Sequence, residues 1–110
     1  MSVIERTENG VVVLVPAGRL DTQGAAGLNA ALHRAVSEGR HKMVVDMSQV
    51  RYINSAGLRT LVDVLARNRK ENGDVKLVAL DRNVAHVFRT IGFDRLFAIY
   101  DTLEAAIADF

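Results

Sequence analysis

Met43-Val44-Val45-Asp46-Met47-Ser48-Gln49-Val50-Arg51-Tyr52-Ile53-Asn54-Ser55-Ala56-Gly57-Leu58 is the stretch on which the reading of this chain turns. It opens with a short apolar run, Met43 to Met47, of the length and composition of a buried strand. A turn follows, and then a polar group at Asn54-Ser55 precedes an apolar series, Leu58, Leu61, Val62 and Leu65, recurring at helical spacing. Arg59, Asp63 and Arg67 fall four residues apart on another face of the same segment, as a solvated charge ladder does. Strand, turn and amphipathic helix in that order make a βα unit. Either Asn54 or Ser55 stands at the helix N-cap, its side-chain oxygen accepting from a free backbone N–H.

The same alternation extends in both directions. Upstream, Val3 to Thr7 leads into Asn9-Gly10, a strong two-residue hairpin turn, and then into Val11 to Val15, apolar at every position. An unbroken apolar strand implies burial on both faces. Leu28, Leu32, Ala35 and Val36 then share a helix face, with Gly39 at its stop. Downstream, Asn72-Gly73 ends the central helix and Val75 to Leu80 reads as a strand. Val84, Val87, Phe88 and Ile91 form a helix stopped by Gly92, Leu96 to Tyr100 is a short strand, and Leu103, Ala106, Ile107 and Phe110 give a terminal helix. The order predicts an α/β fold: a mixed, mostly parallel sheet of about five strands, opened by an antiparallel hairpin and packed with about four helices. No linker, repeat or low-complexity tract divides residues 1–110, which read as one domain.

Composition narrows the function. Of the 110 residues 49% are hydrophobic and 25% charged, the balance of a folded domain and not of a disordered tail. Fourteen basic and thirteen acidic residues leave a formal charge of +1, which implies neither a direct nucleic-acid footprint nor a polybasic membrane anchor. The absence of cysteine removes disulfides, thiolate metal sites and thiol nucleophiles. No apolar run approaches the ~20 residues needed to cross a bilayer, and the opening residues lack the order of a signal peptide. Together these features suggest a cytoplasmic domain with no membrane insertion.

Chemistry-bearing motifs are scarce. Gly24-Ala25-Ala26-Gly27 lacks the spacing and the lysine of a phosphate loop. His33, His41 and His86 stand far apart, none with a ligand three or four residues away, so no metal site is expected. His33 and His86 read as polar-face helix residues and His41 as a loop residue. Arg67-Asn68-Arg69-Lys70 lies in the last turn of a helix, where cations complement the dipole. Asp21, Asp46 and Asp63 have no spacing that favours acid–base work over capping and solubility. Ser55 has no local base and no G-x-S-x-G context, so neither catalytic residues nor cofactors are assigned. On spacing alone a simply capped helix is the favoured reading of this turn, and the functional alternative is a phosphorylation site at Ser55. Free N–H groups and the helix dipole stabilise an added anion there, so the group can be attached without unfolding the helix.

The motifs bear a resemblance. Asp46 to Val50 followed by Tyr52-Ile53-Asn54-Ser55-Ala56-Gly57-Leu58 resembles the signature of STAS domains, and in particular the stand-alone bacterial anti-sigma-factor antagonists. Gly18-Arg19-Leu20-Asp21 resembles the family's loop between the second strand and the first helix, and Phe88-Arg89-Thr90-Ile91-Gly92-Phe93 with Leu96-Phe97 its third helix and exit. The likeness spans essentially the whole chain. It implies a regulatory protein that is not an enzyme. Its unphosphorylated form binds an anti-sigma factor that is also a serine kinase of the GHKL type, freeing the sigma factor. Phosphorylation at Ser55 blocks that binding, and a PP2C-type serine phosphatase resets it. The implied partner-binding residues are Asp21, Thr22, Asn54, Ser55, Ala56, Gly57, Arg59 and Thr60, gathered where strand-to-helix turns of a parallel sheet converge. Asn54 stands where the family most often has Asp. The same resemblance admits an alternative, an unphosphorylated scaffold subunit of a phospholipid-transport ATPase or of a stressosome-like complex.

Overall fold

The computed structural model describes all 110 residues. Strands β1 (Ser2–Glu8) and β2 (Val11–Leu20) form the hairpin, followed by helix α1 (Thr22–Ser37) and strands β3 (Lys42–Asp46) and β4 (Val50–Ile53). Helix α2 (Ser55–Lys70), strand β5 (Asp74–Val78), helix α3 (Arg82–Ile91), a 3-10 turn at Phe93–Arg95, strand β6 (Ile99–Tyr100) and helix α4 (Leu103–Ala108) complete the chain. The sheet runs β1-β2-β3-β5-β6, with β4 joined to the far end of β2. β1 pairs antiparallel to β2, and every other pairing is parallel.

The hairpin turns where the sequence indicates, because Asn9 (φ 52°) and Gly10 (φ 76°) both take the left-handed conformation that a tight hairpin needs. Beyond it, side chains alternate between two packed faces. Val12, Leu14, Met43, Val45, Val75 and Leu77 point to α1, α2 and α3, meeting Leu28, Leu32, Leu61, Leu65 and Phe88 in one cluster of 20 buried residues. Phe88 closes it with edge-to-face contacts to Phe97 at 5.8 Å and Phe93 at 6.4 Å between centroids. Val11, Val44 and Val78 point the other way, against Ala106 of α4. Both faces of β2 are therefore buried, as its apolar run implies.

Three readings are corrected. The sheet has six strands rather than about five, because the segment after Met47, expected to be a turn, contains β4. Gly18 to Leu20 is not a loop: β2 continues through Leu20 and passes directly into α1 at its cap, Asp21. The last strand is only Ile99–Tyr100, since the N–H groups of Leu96 and Phe97 both donate to the Phe93 carbonyl, at 3.0 and 3.1 Å, and close the preceding 3-10 turn. Lys76 on β5 is 4% exposed, its Nζ donating to the Ala106 carbonyl at 3.2 Å and lying 3.9 Å from the Phe110 ring centroid.

Candidate functional site

The strand ends of β2 and β4 lie side by side and each delivers the chain to a helix start. Leu20 pairs with Ile53, and the Asn54 N–H donates to the Leu20 carbonyl at 3.1 Å. This tie sets the two helix starts next to each other: Asp21 caps α1 ahead of Thr22, and Asn54 caps α2 ahead of Ser55, Ala56 and Gly57, with Arg59 and Thr60 in the next turn of α2.

Asn54 is the cap of α2. Its backbone is extended (φ −115°, ψ −173°), and its Oδ1 accepts from Ala56 N at 3.0 Å and from Gly57 N at 3.2 Å. Ser55 is the first helical residue. It is exposed, and its hydroxyl takes part in no hydrogen bond within the chain. Capping and presentation are thus divided between neighbours, so that Ser55 carries no structural duty. Gly57 is buried rather than presented. A Cβ there would sit 2.7 Å from Leu20 Cγ and 2.8 Å from the Leu20 carbonyl oxygen, so only glycine lets α2 seat this closely on the end of β2.

Asp21 performs the equivalent service for α1, its Oδ1 accepting from Gly24 N at 2.9 Å. That bond holds the Asp21 carboxyl below its ordinary value, against an opposing desolvation and with help from the neighbouring Arg19 guanidinium. Asp81 caps α3 in the same way through Val84 N at 2.9 Å. No group of three or more potential metal ligands converges anywhere in the chain. His33 lies with its Nδ1 3.1 Å from Arg67 Nη1, His41 pairs its Nδ1 with Asn68 Oδ1 at 2.9 Å, and His86 is exposed on α3.

The face of α2 is rotated from the one its apolar spacing suggests. Leu61, Val64, Leu65 and Asn68 are buried, whereas Leu58 and Val62 are only half-buried. With Ser55, Arg59, Asp63 and Phe93, those two line an open groove of about 320 Å³ between α2 and the 3-10 turn at Phe93. Arg59 and Asp63, the start of the expected ladder, form no ion pair with each other there. Sequence reasoning missed three exposed neighbours of this edge: Arg19, Arg51 and Tyr52. The signal was two successive polar residues, Arg51-Tyr52, between the apolar Val50 and Ile53.

A hairpin-opened parallel sheet, three helices on one face, one on the other, and a serine offered at a capped helix start define a small class of α/β domains. The chain belongs to the STAS domain family, whose profile matches residues 3–106. It is 30% identical over 109 residues to RsfB of Mycobacterium tuberculosis, named an anti-sigma-F factor antagonist, covering 97% of this chain and 87% of that protein. The crystal structure of an anti-sigma factor antagonist from Mycobacterium paratuberculosis superposes with a TM-score of 0.89 at 27% identity, covering 98% of this chain and 92% of the other. The antagonist SpoIIAA in its unphosphorylated form shares the fold, with a TM-score of 0.83 at 18% identity over 96% of this chain and 93% of its own. Anti-sigma factor antagonism is accordingly the general role of the relatives that this chain matches along most of its length.

Proposed function

We propose that this protein is an anti-sigma-factor antagonist switched by phosphorylation of Ser55. In this reading the unphosphorylated chain binds an anti-sigma factor that is also a serine kinase of the GHKL type, and so releases the sigma factor. The kinase transfers the γ-phosphoryl group of ATP to Ser55 Oγ: the Oγ–P bond forms, the bond to ADP breaks, and the hydroxyl proton passes to the kinase's base. The modified chain dissociates, and a PP2C-type phosphatase returns it to the binding state. The domain itself performs no catalysis and works in the cytoplasm.

One observation carries the reading: Ser55 is exposed at the opening of α2 while Asn54 holds the helix. Phosphorylation adds about −1.5 to −2 charges at a helix N-terminus, where anions are favoured, without removing a cap. The cost falls on the partner instead, which must desolvate or repel a dianion at the rim of the Leu58–Val62–Phe93 groove. SpoIIAA, which has this fold, has been solved in a phosphorylated form as well, which supports a phosphoswitch on this scaffold. Asp21, Thr22, Asn54, Ala56, Arg59 and Thr60 belong to the docking face in this reading, with Gly57 supporting it from below.

The test is intact-mass analysis of the chain after incubation with a GHKL-type anti-sigma kinase from the same organism and ATP. One phosphoryl group on wild type and none on Ser55→Ala is expected. Labelling of Ser55→Ala to the same extent would remove Ser55 from the mechanism.

A further inference from the structure

The turn between β4 and α2 is flanked by a group of side chains that the Ser55 reading does not use. Gly18 pairs with Val50 and Leu20 with Ile53, so Arg19 alone stands opposite two residues, Arg51 and Tyr52. Two residues against one make a β-bulge, and a bulge re-aims side chains. Here both residues on the longer side are turned outward: Arg51 and Tyr52 are exposed between buried Val50 and Ile53.

The Arg19 guanidinium lies 3.9 Å from the centroid of the Tyr52 ring. Its Nε is 3.7 Å from Asp21, and Arg51 Nη1 is 4.0 Å from Asp81, both beyond hydrogen-bond length. Asp21 and Asp81 each cap a helix through Oδ1 and face the arginine with Oδ2, at distances that leave the guanidinium N–H groups without a short partner. The two arginine side chains remain 66% and 78% exposed. With Gly18, Gln49 and Tyr52 they line an open depression of about 510 Å³ that has no carboxylate in its wall.

We propose that Arg19, Arg51 and Tyr52 seat an acidic segment of the protein partner, an assignment that rests on the reading of the α2 opening as the docking face. A guanidinium stacked on an aromatic ring is held by its flat face and keeps its N–H edge for a carboxylate. The exposed ring offers apolar contact to the aliphatic part of a glutamate. Arg19, held on the ring, and the exposed Arg51 near the Asn54–Ser55 turn suit carboxylates spaced along an extended peptide. A nucleic acid fits less well, since the chain's formal charge of +1 supplies no wider field for a polyanion.

Titration of the ¹⁵N-labelled chain with a hexaglutamate peptide tests this at roughly 0.01 M salt, where surface charges are weakly screened. Saturable shifts of the Arg19 and Arg51 Nε–Hε signals and of the Tyr52 amide are expected, with none from hexaglutamine. Arg51→Gln is expected to weaken binding roughly fivefold, the upper end for one exposed charge pair, and Tyr52→Leu roughly twofold. Both substitutions are at exposed positions and leave the core untouched. Equal shifts at every arginine, an equal response to inorganic phosphate, or undiminished binding by Arg51→Gln overturns the assignment. Ser55→Ala is expected to bind the peptide like wild type, so failure here and failure of the Ser55 switch are separate results.

Discussion

Replacing Asn54 and Ser55 one at a time by alanine separates the residue that holds helix α2 from the residue that it displays. Asn54 Oδ1 accepts from two amides, at 3.0 and 3.2 Å, and alanine leaves both without a protein partner. Loss of such a cap costs about 1 kcal/mol, within a range of roughly 0.5–2. Unfolding entropy near the melting point is about 2.1 cal/mol/K per residue, so a chain of 110 residues loses about 4 °C in Tm for each kcal/mol. Asn54→Ala is therefore expected to melt about 4 °C below wild type. Ser55→Ala removes an exposed hydroxyl with no partner and installs the best helix former, so its effect is expected to stay within about 0.5 kcal/mol. Ser55→Asp places an anion at the helix terminus and is expected to gain about 0.3–1 kcal/mol while losing affinity for the kinase. Thermal melts of the four proteins, with calorimetric titration against the kinase, check each value. If Ser55→Ala melts as low as Asn54→Ala, Ser55 is a structural residue and the division of labour drawn from this site is wrong.

Two further outcomes follow from the same edge of the sheet. Asp21→Asn keeps an oxygen for Gly24 and removes only the charge; because the folded carboxyl titrates below its ordinary value, the charge stabilises the fold above the unfolded value, and that contribution disappears as pH falls through the lowered one. The variant is thus expected to melt below wild type near pH 7, with the gap closing as pH falls through the lowered value of the folded carboxyl, and a gap that stays constant into acid contradicts this. Gly57→Ala is expected to lower stability by about 1 kcal/mol, since crowding against the fixed Leu20 carbonyl costs more than the helix propensity gained; a raised Tm refutes the close approach.

Most of the fold could be read from residue order because local signals and tertiary packing agree. Asn9-Gly10 specifies a hairpin, the apolar run of β2 specifies a two-faced burial, and Gly92 (φ 80°) ends α3 as a left-handed cap. β4 escaped because it violates the rule that finds strands. Val50 and Ile53 are buried with two exposed residues between them, a spacing that a bulge creates and that strict alternation excludes. Lys76 escaped for a different reason: a lysine between Val75 and Leu77 reads as the wet side of a strand, and only the return of α4 over the sheet covers it. The cap of α2 stayed open between Asn54 and Ser55, since both residue types cap well and backbone angles alone decide. Leu58 and Val62 share the apolar series of α2 but are only half-buried, because periodicity reports a face and says nothing of how far the neighbouring elements cover it.

The two proposals meet in the charge at this edge. Arg19, Arg51 and Arg59 stand against Asp21, Asp63 and Asp81, a formal sum of zero. What a partner meets is nonetheless unequal, for the Asp21 and Asp81 side chains are 37% and 21% exposed, each with one oxygen capping a helix, whereas Arg19 and Arg51 are 66% and 78% exposed. An acidic segment is drawn to the guanidinium edges as long as Ser55 is a neutral hydroxyl. A phosphate there shifts the sum by nearly two negative charges, and each exposed charge pair is worth up to about 1 kcal/mol. Two such pairs, about 2 kcal/mol, change affinity roughly thirtyfold. The fold is indifferent to that change, because the helix terminus favours the anion and Asn54 keeps the cap. A switch of this kind needs a residue whose charge matters to the partner and not to the helix, and the adjacent Asn54 is what leaves Ser55 free to be that residue.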